Sequence, residues 1–162
     1  MKGVLEARIR DRVSLEWLTP SQQWVWDEVH RFSGPPHHVI NIFGAESGGK
    51  SFLGWLMERE GHATYGDWAV RPQPLLPRLT LDDAATDRLA ARDVRPLVQQ
   101  LNVIQIILLS RARVDEPGMP AFELRVTEDD FAVFRANLFR HLRVTLPEGA
   151  CRDFKSALKL IG

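Results

Sequence analysis

The chain has 162 residues, of which 44% are hydrophobic and 26% are charged, the balance of an ordinary soluble protein. Its 21 basic and 21 acidic residues cancel, so nucleic-acid binding has no support from net charge. One cysteine excludes an internal disulfide, and no stretch approaches the ~18 apolar residues of a membrane span. We expect a cytoplasmic protein with one domain over residues 1–162, with residues 1–34 forming an N-terminal extension and helix packed on it.

The first clear element is a helix that begins near residue 20. Thr19 can cap it, Pro20 suits the first helical position, and Gln22 can close a capping box. Apolar residues follow at helical spacing until Gly34-Pro35-Pro36 ends the helix. The structure of residues 1–18 is ambiguous from the sequence.

A strand, a glycine-rich loop and a second helix follow directly. Residues 38–43 are apolar and rich in β-branched side chains, which predicts a buried strand. A helix is predicted from about Lys50 to Glu60, with Gly61 as its C-terminal cap. Between them, the pattern G-x-x-x-x-G-K-[ST] is matched completely by Gly44, Ala45, Glu46, Ser47, Gly48, Gly49, Lys50 and Ser51.

This loop predicts a phosphate-binding site. Its glycines let consecutive N–H groups turn inward, and the following helix directs its positive dipole end to the same place. Lys50 would reach the β- and γ-phosphates in a catalytic role, and Ser51 would supply a hydroxyl to Mg²⁺. We therefore expect ATP and Mg²⁺ as cofactors.

The rest of the chain alternates between strand and helix patterns. This alternation predicts an α/β fold, a three-layer sandwich with a mainly parallel central sheet. The predicted segments are a short strand within 63–70, a strand end or helix start at 79–83, a helix over much of 84–101, a strand at 103–109, a strand at 122–126, a helix capped by Thr127–Asp130, a last strand at 143–146, and a helix carrying Phe154, Leu158 and Ile161.

Through Gly44–Ser51, the chain resembles the P-loop NTPases, and within them the additional-strand branch of AAA+ and signalling ATPases. This resemblance implies an acidic strand end, in which Asp82 would hold Mg²⁺ through a water molecule and Asp83 would polarise the attacking water. It also implies a polar γ-phosphate sensor at the next strand tip, where Ser110 stands. A different interpretation of Thr80-Leu81-Asp82-Asp83 is a capping box that opens a helix.

The family also implies an arginine finger and a helical lid. The finger candidates are Arg111, Arg113, Arg135, Arg140 and Arg143. Too little chain follows the last predicted strand for a lid, which argues against a standard hexameric motor. The guanine-reading Asn-Lys-x-Asp motif is absent, so ATP is favoured over GTP. These features predict a slow Mg²⁺-dependent ATPase, activated by self-assembly or by a protein partner.

Two other functions remain open. A small-molecule or nucleotide kinase would share the loop, with Asp82 or Asp83 as the base for the acceptor hydroxyl. A nucleotide-gated interaction module would bind ATP without significant hydrolysis and present the aromatic segment Trp17–Trp26 to a partner.

Overall fold

The computed structural model describes residues 2–34, 38–70, 73–84, 91–114, 116–146, 154, 156 and 157. At the N-terminus it resolves the ambiguous segment as helix α1 (Lys2–Arg12) and a 3₁₀ turn (Leu15–Trp17). Helix α2 (Pro20–Arg31) follows, and the Gln22 side chain accepts a hydrogen bond from the Thr19 N–H at 3.1 Å. The predicted helix start is therefore confirmed.

The remaining elements alternate as the sequence pattern predicts. In chain order they are β1 (Val39–Phe43), α3 (Lys50–Arg59), β2 (Thr64–Asp67), β3 (Arg78–Ala84), α4 (Ala91–Gln100), β4 (Gln105–Ser110), β5 (Ala121–Glu123), α5 (Glu128–Asn137) and a π-helical turn (Leu138–Leu142).

The five strands form one sheet in the order β2-β3-β4-β1-β5, and every neighbouring pair is parallel. The strand β4 lies between β1, which leads into the glycine-rich loop, and β3, which carries the acidic pair. Since parallel strands end at the same edge, the loop and the acidic pair meet at the carboxyl edge of the sheet. The predicted α/β fold class is confirmed.

Helices cover both faces of this sheet. On one face, α2 and α3 bury a cluster that includes Val25, Leu53 and Met57 against β1 and β4. On the other face, α4 packs Val94 and Leu97 against the same central strands. The helices α1 and α5 form a third cluster with the π-helical turn, beside α3. The three-layer arrangement follows because a fully buried parallel sheet must be covered on both faces.

The segment 78–84 is a strand, so its interpretation as a helix start is wrong. It pairs with β2 and β4, and Leu79, Thr80 and Leu81 are fully buried. Pairing with both neighbouring strands satisfies the backbone N–H and C=O groups of this segment. The sequence is compatible with both a strand and a helix start here, and the pairing in the sheet selects the strand.

The C-terminal part differs from prediction in one element. Residues 143–146 were expected to form a strand, but they are irregular. Arg143 has φ of 58°, a left-handed conformation that interrupts an extended chain. The predicted C-terminal helix is described only at Phe154, Ser156 and Ala157, which are helical, while Leu158 and Ile161 lie outside the described residues.

The aromatic segment 17–26 divides between core and surface. Trp17 and Trp26 are buried, at 2% and 9% exposure, whereas Trp24 is 51% exposed and meets Phe122 edge-on. Most of this segment therefore packs the N-terminal helix onto the domain, and Trp24 alone of the three tryptophans faces solvent. Among the described helices, none is long and apolar enough to cross a bilayer.

A histidine pair fastens the end of α2 to the segment after α3. The rings of His30 and His62 lie 4.3 Å apart, and His62 Nε2 is 3.2 Å from the Ser33 hydroxyl. Burial, with the nearby charges of His30 and Arg78, lowers the pKa of His62 from 6.5 to about 4. The folded chain therefore holds His62 neutral over a range in which the unfolded chain takes up a proton.

We expect this histidine to make stability depend on pH. The stabilisation is fully present above pH 6.5 and is lost as the pH falls from 6.5 toward 4. The free energy of unfolding should decline by up to about 1.4 kcal/mol per pH unit within this window. Urea unfolding at several pH values should show a smaller decline in His62→Gln, with His38→Gln as the control at an exposed histidine. An identical slope in wild type and His62→Gln would contradict the assignment.

Candidate functional site

The glycine-rich loop connects β1 to α3 at the carboxyl edge of the sheet. The Gly44 N–H donates to the Ser110 carbonyl at 3.2 Å, so the loop begins beside the tip of β4. Ser47 and Gly49 have φ of 65° and 83°, and the left-handed residue Gly49 directly precedes the helix. The loop therefore curls back over the start of α3, where the first N–H groups of a helix have no intrahelical acceptor.

Two glycines of the loop allow close packing that a side chain would prevent. A Cβ atom at Gly44 would lie 2.4 Å from the Leu124 carbonyl oxygen, and one at Gly49 would lie 2.6 Å from Gln22 Nε2. Since φ is also positive at both positions, alanine would be strained there whatever the available space. Glycine is therefore required at both positions, because any side chain would clash with a neighbour and strain the backbone.

Lys50 is directed into the loop. Its ammonium group donates to the carbonyl oxygens of Gly44 and Ala45 at 2.8 and 2.7 Å, and the residue is only 9% exposed. The two carbonyl groups hold a buried positive charge at the mouth of α3. The ammonium group and the N-terminal end of α3 are both electropositive and lie on the same side of the loop. Together they favour the binding of an anion there.

The N-terminus of α2 packs against the loop and is hydrogen-bonded to it. Gln22 Nε2 donates to the Gly49 carbonyl at 3.3 Å. The fully buried Asp130 accepts hydrogen bonds from both the N–H and the hydroxyl of Ser21, and from those of Thr127. Although burial raises the pKa of Asp130, the hydrogen bonds from Ser21 and Thr127 outweigh it and hold this pKa below its ordinary value. A charged network thus fixes α2 and α5 next to the loop.

Asp82 and Ser51 converge on one further side chain, Tyr65. The Tyr65 hydroxyl donates to Asp82 Oδ2 at 2.6 Å, and the Ser51 side chain lies near enough to the phenol to oppose the rise in its pKa. Burial raises the pKa of Tyr65, with the Asp82 charge adding to the effect, so the phenol stays protonated at neutral pH. Asp82 and Ser51, the two residues predicted to bind Mg²⁺, therefore both lie near Tyr65, and their role as a metal site stays a prediction.

The second acidic residue, Asp83, is the next residue of β3. The register between β3 and β4 shifts between Leu81 and Ala84, so the strand is irregular where Asp83 lies. The Asp83 side chain lies outside the described part of the chain, and its predicted role in water activation stays a prediction.

Ser110 is buried at the tip of β4 and joins a hydrogen-bond network with Asn41 of β1. Asn41 Nδ2 donates to Ser110 Oγ at 2.8 Å, and Ser110 Oγ donates to the Ala112 carbonyl at 2.7 Å. Asn41 Oδ1 accepts from the Val114 N–H, so it also fixes the chain beyond the strand. The structure brings Ser110 to Asn41 on the α4 face, and its predicted sensor role stays a prediction.

One candidate finger arginine lies beside the loop. Arg111 forms an ion pair with Glu46 at 3.4 Å, with the two side chains 70% and 54% exposed. An exposed pair of this kind contributes little to stability. The other described candidates, Arg113, Arg135, Arg140 and Arg143, are partly or largely exposed, and Arg143 lies over the Phe139 ring.

The residues present fit a nucleotide phosphate and a magnesium ion. A Cβ at Gly48 would lie 3.1 Å from the Ala45 carbonyl oxygen, so a side chain at this position would crowd the interior of the loop. The oxygen ligands that Mg²⁺ prefers are offered by Ser51 and Asp82. Among the described residues, no group of three or more His, Cys, Asp or Glu side chains forms a separate metal cage. Mg²⁺ commonly takes one or two protein ligands together with substrate phosphates.

The sequence alone predicts no role for Tyr65, Asn41 or Gly54. Asn41 carried a signal, because it is a polar residue within an otherwise apolar buried strand. Tyr65 carried none, because it lies in a weakly patterned segment and its importance depends on strand β2 being placed beside β3. Gly54 matters only because the Tyr65 ring crosses α3 at that point.

Comparisons with known proteins identify the fold. No protein-family model matches the chain, and no curated protein matches its sequence. A structure of the replication initiator DnaA bound to AMPPCP and single-stranded DNA matches with a TM-score of 0.58 and 12% identity, over 93% of this chain and 66% of that one. Domain III of the Thermotoga maritima replication initiation protein DnaA matches with a TM-score of 0.54 and 12% identity, over 92% and 87% of the two chains.

The chain therefore has the fold of DnaA domain III, a P-loop-like α/β sandwich. It spans just under two thirds of the length of the first DnaA structure, at 66%. At this level of identity, the likeness shows the fold alone.

Proposed function

We propose that this protein binds ATP with Mg²⁺ at residues 44–51 and hydrolyses it slowly until self-assembly or a partner completes the site. The observation that carries the proposal is the convergence of Lys50, Ser51 and Asp82 at one edge of the sheet. Lys50 lies inside the glycine-rich loop, Asp82 accepts a hydrogen bond from the Tyr65 hydroxyl, and Ser51 lies near the same hydroxyl. The position of β4 between β1 and β3 further supports the additional-strand branch of P-loop ATPases.

In this proposal, each residue has a separate task. The loop N–H groups and Lys50 bind the phosphates, while Ser51 and Asp82 hold Mg²⁺, which neutralises phosphate charge when it is bound. Asp83 orients the attacking water and accepts its proton as the bond between the γ-phosphorus and the bridging oxygen breaks. Ser110 would respond to the γ-phosphate at the tip of β4.

We expect slow turnover because no arginine of this chain is assigned to stabilise the transition state. Arg111 is engaged by Glu46 at the surface of the loop, and a finger supplied by another chain can contribute about 10³–10⁵ in rate. We therefore propose a protein partner or a second copy of this chain as the activator. One neighbour of this fold carries a nucleotide analogue and single-stranded DNA, so DNA is a further partner to test.

A second candidate is a nucleotide-gated interaction module without significant hydrolysis. The exposed Trp24, in the segment singled out as a partner surface, favours it. Binding alone would not distinguish the two functions, but turnover would.

The proposal is tested by calorimetry with ATP and GTP, each with Mg²⁺ and with EDTA. We expect saturable ATP binding that EDTA weakens, and weaker binding of GTP. Phosphate release per chain should then increase with protein concentration or with an added partner. Absence of saturable ATP binding would overturn the proposal, and fast turnover by a dilute monomer would contradict the need for an activator.

A further inference from the structure

Tyr65 lies on β2, the edge strand next to β3. In the parallel register Tyr65 pairs with Thr80, and paired residues project to the same face. Thr80 directs its hydroxyl to Met57 of α3, so Tyr65 also projects toward α3. The strand order thus places a phenol between the helix that follows the phosphate loop and the strand that carries Asp82.

The Tyr65 ring crosses α3 at a glycine. A Cβ at Gly54 would lie 2.6 Å from the ring carbons, so a larger residue would push the ring away. Trp55 meets the ring edge-on at a centroid distance of 6.4 Å, and the Arg10 guanidinium lies 5.4 Å from its centre. The side chain is half-buried and packs against the apolar cluster between the sheet and the helices α2 and α3.

The hydroxyl at the end of this ring contacts one of the two groups proposed to hold Mg²⁺ and lies near the other. It donates to Asp82 Oδ2 at 2.6 Å, and the Ser51 side chain is close enough to influence the phenol. Asp82 is 7% exposed, so this hydrogen bond to a carboxylate is shielded from water. A shielded hydrogen bond to a charged group is stronger than an exposed one.

Magnesium needs its ligands at about 2.0–2.1 Å and retains several waters, so it requires the volume around them. A phenol oxygen 2.6 Å from Asp82 Oδ2 lies in that volume. We propose that the Tyr65 hydroxyl is an internal competitor for Mg²⁺, which binds Asp82 in the metal-free protein and must leave before the metal binds. This inference rests on the proposed function and adds a control of metal loading to it.

The first test is the metal dependence of nucleotide binding in Tyr65→Phe. This change keeps the ring over Gly54 and removes only the hydroxyl. Since the variant removes the Tyr65 hydrogen bond to Asp82 that the metal must displace, we expect Mg²⁺ to bind the complex with a non-hydrolysable ATP analogue about tenfold more tightly. Thr64→Val is the matched control: it removes one hydroxyl from the adjacent β2 residue, whose partners are the Leu75 and Leu76 N–H groups. Its Mg²⁺ affinity should equal that of wild type.

The second test observes the phenol itself. Tyr65 is the sole tyrosine of the chain, so labelling tyrosine with ¹³C at Cζ gives one resonance in the NMR spectrum. We expect this resonance to stay in place when the ATP analogue is added with EDTA, and to shift when Mg²⁺ replaces EDTA. Asp82→Ala provides the reference position for a phenol without its carboxylate partner.

The outcomes separate this inference from the function on which it rests. Absence of analogue binding to wild type, with or without metal, would overturn both. Analogue binding with an unchanged or lower Mg²⁺ affinity in Tyr65→Phe would overturn the inference alone, as would a tyrosine resonance that Mg²⁺ does not move. A lower affinity would show instead that Tyr65 positions Asp82 for the metal.

Discussion

Replacing Lys50 with alanine is expected to weaken ATP binding by about tenfold or more, because charge-assisted contacts to phosphate contribute about 1.5–3 kcal/mol. Lys50 is 9% exposed and is held inside the loop by the Gly44 and Ala45 carbonyl groups. Its charge is therefore already in place before a phosphate arrives. Calorimetry with Mg²⁺ and ATP measures the loss.

Arg59→Ala is the matched control for the Lys50 variant. Arg59 ends the same helix and donates to the Asp11 carbonyl on an exposed surface, so its removal takes one positive charge from α3 away from the loop. ATP affinity should be close to that of wild type in Arg59→Ala. Equal affinity of wild type and Lys50→Ala would mean that residues 44–51 are not the binding site.

Separate replacement of Asp82 and Asp83, the two acidic residues of β3, is expected to have different effects: the first on metal binding and the second on activation of the attacking water. Asp82→Asn should weaken Mg²⁺ binding to the nucleotide complex by about 10–100-fold, the range for changes that disturb a metal's immediate surroundings. Asp83→Asn should leave ATP binding largely intact and slow hydrolysis by about 10²–10⁴, since only acid–base assistance is lost.

The measurements for this pair are Mg²⁺ titrations of the analogue complex and phosphate release at saturating ATP. Asp67→Asn is the control, because Asp67 pairs with Asp82 in the β2–β3 register while its carboxylate accepts from the Ala69 N–H. If Asp82→Asn changed only the free energy of unfolding and left metal binding unaltered, the assignment of Asp82 as a magnesium ligand would be wrong.

Much of the fold could be predicted from local patterns. The helix starts at Thr19 and Thr127 depend on side chains within three residues of each cap, so the sequence contains the whole interaction. The buried strands β1 and β4 were recognisable because a central parallel strand is apolar on both faces. The segment 143–146 was predicted incorrectly, because a left-handed Arg143 after a π-helical turn has no local sequence signal.

The glycine-rich loop could be located from the sequence itself, because its complete motif stands directly between a recognisable strand and a recognisable helix. The strand identity of 78–84 and the meeting of Asp82, Ser51 and Tyr65 were decided by the tertiary structure. These three residues come from β3, α3 and β2, and their proximity depends on the order of strands in the sheet. Strand order is set by long-range pairing and by burial on both faces, which no local pattern of residues specifies.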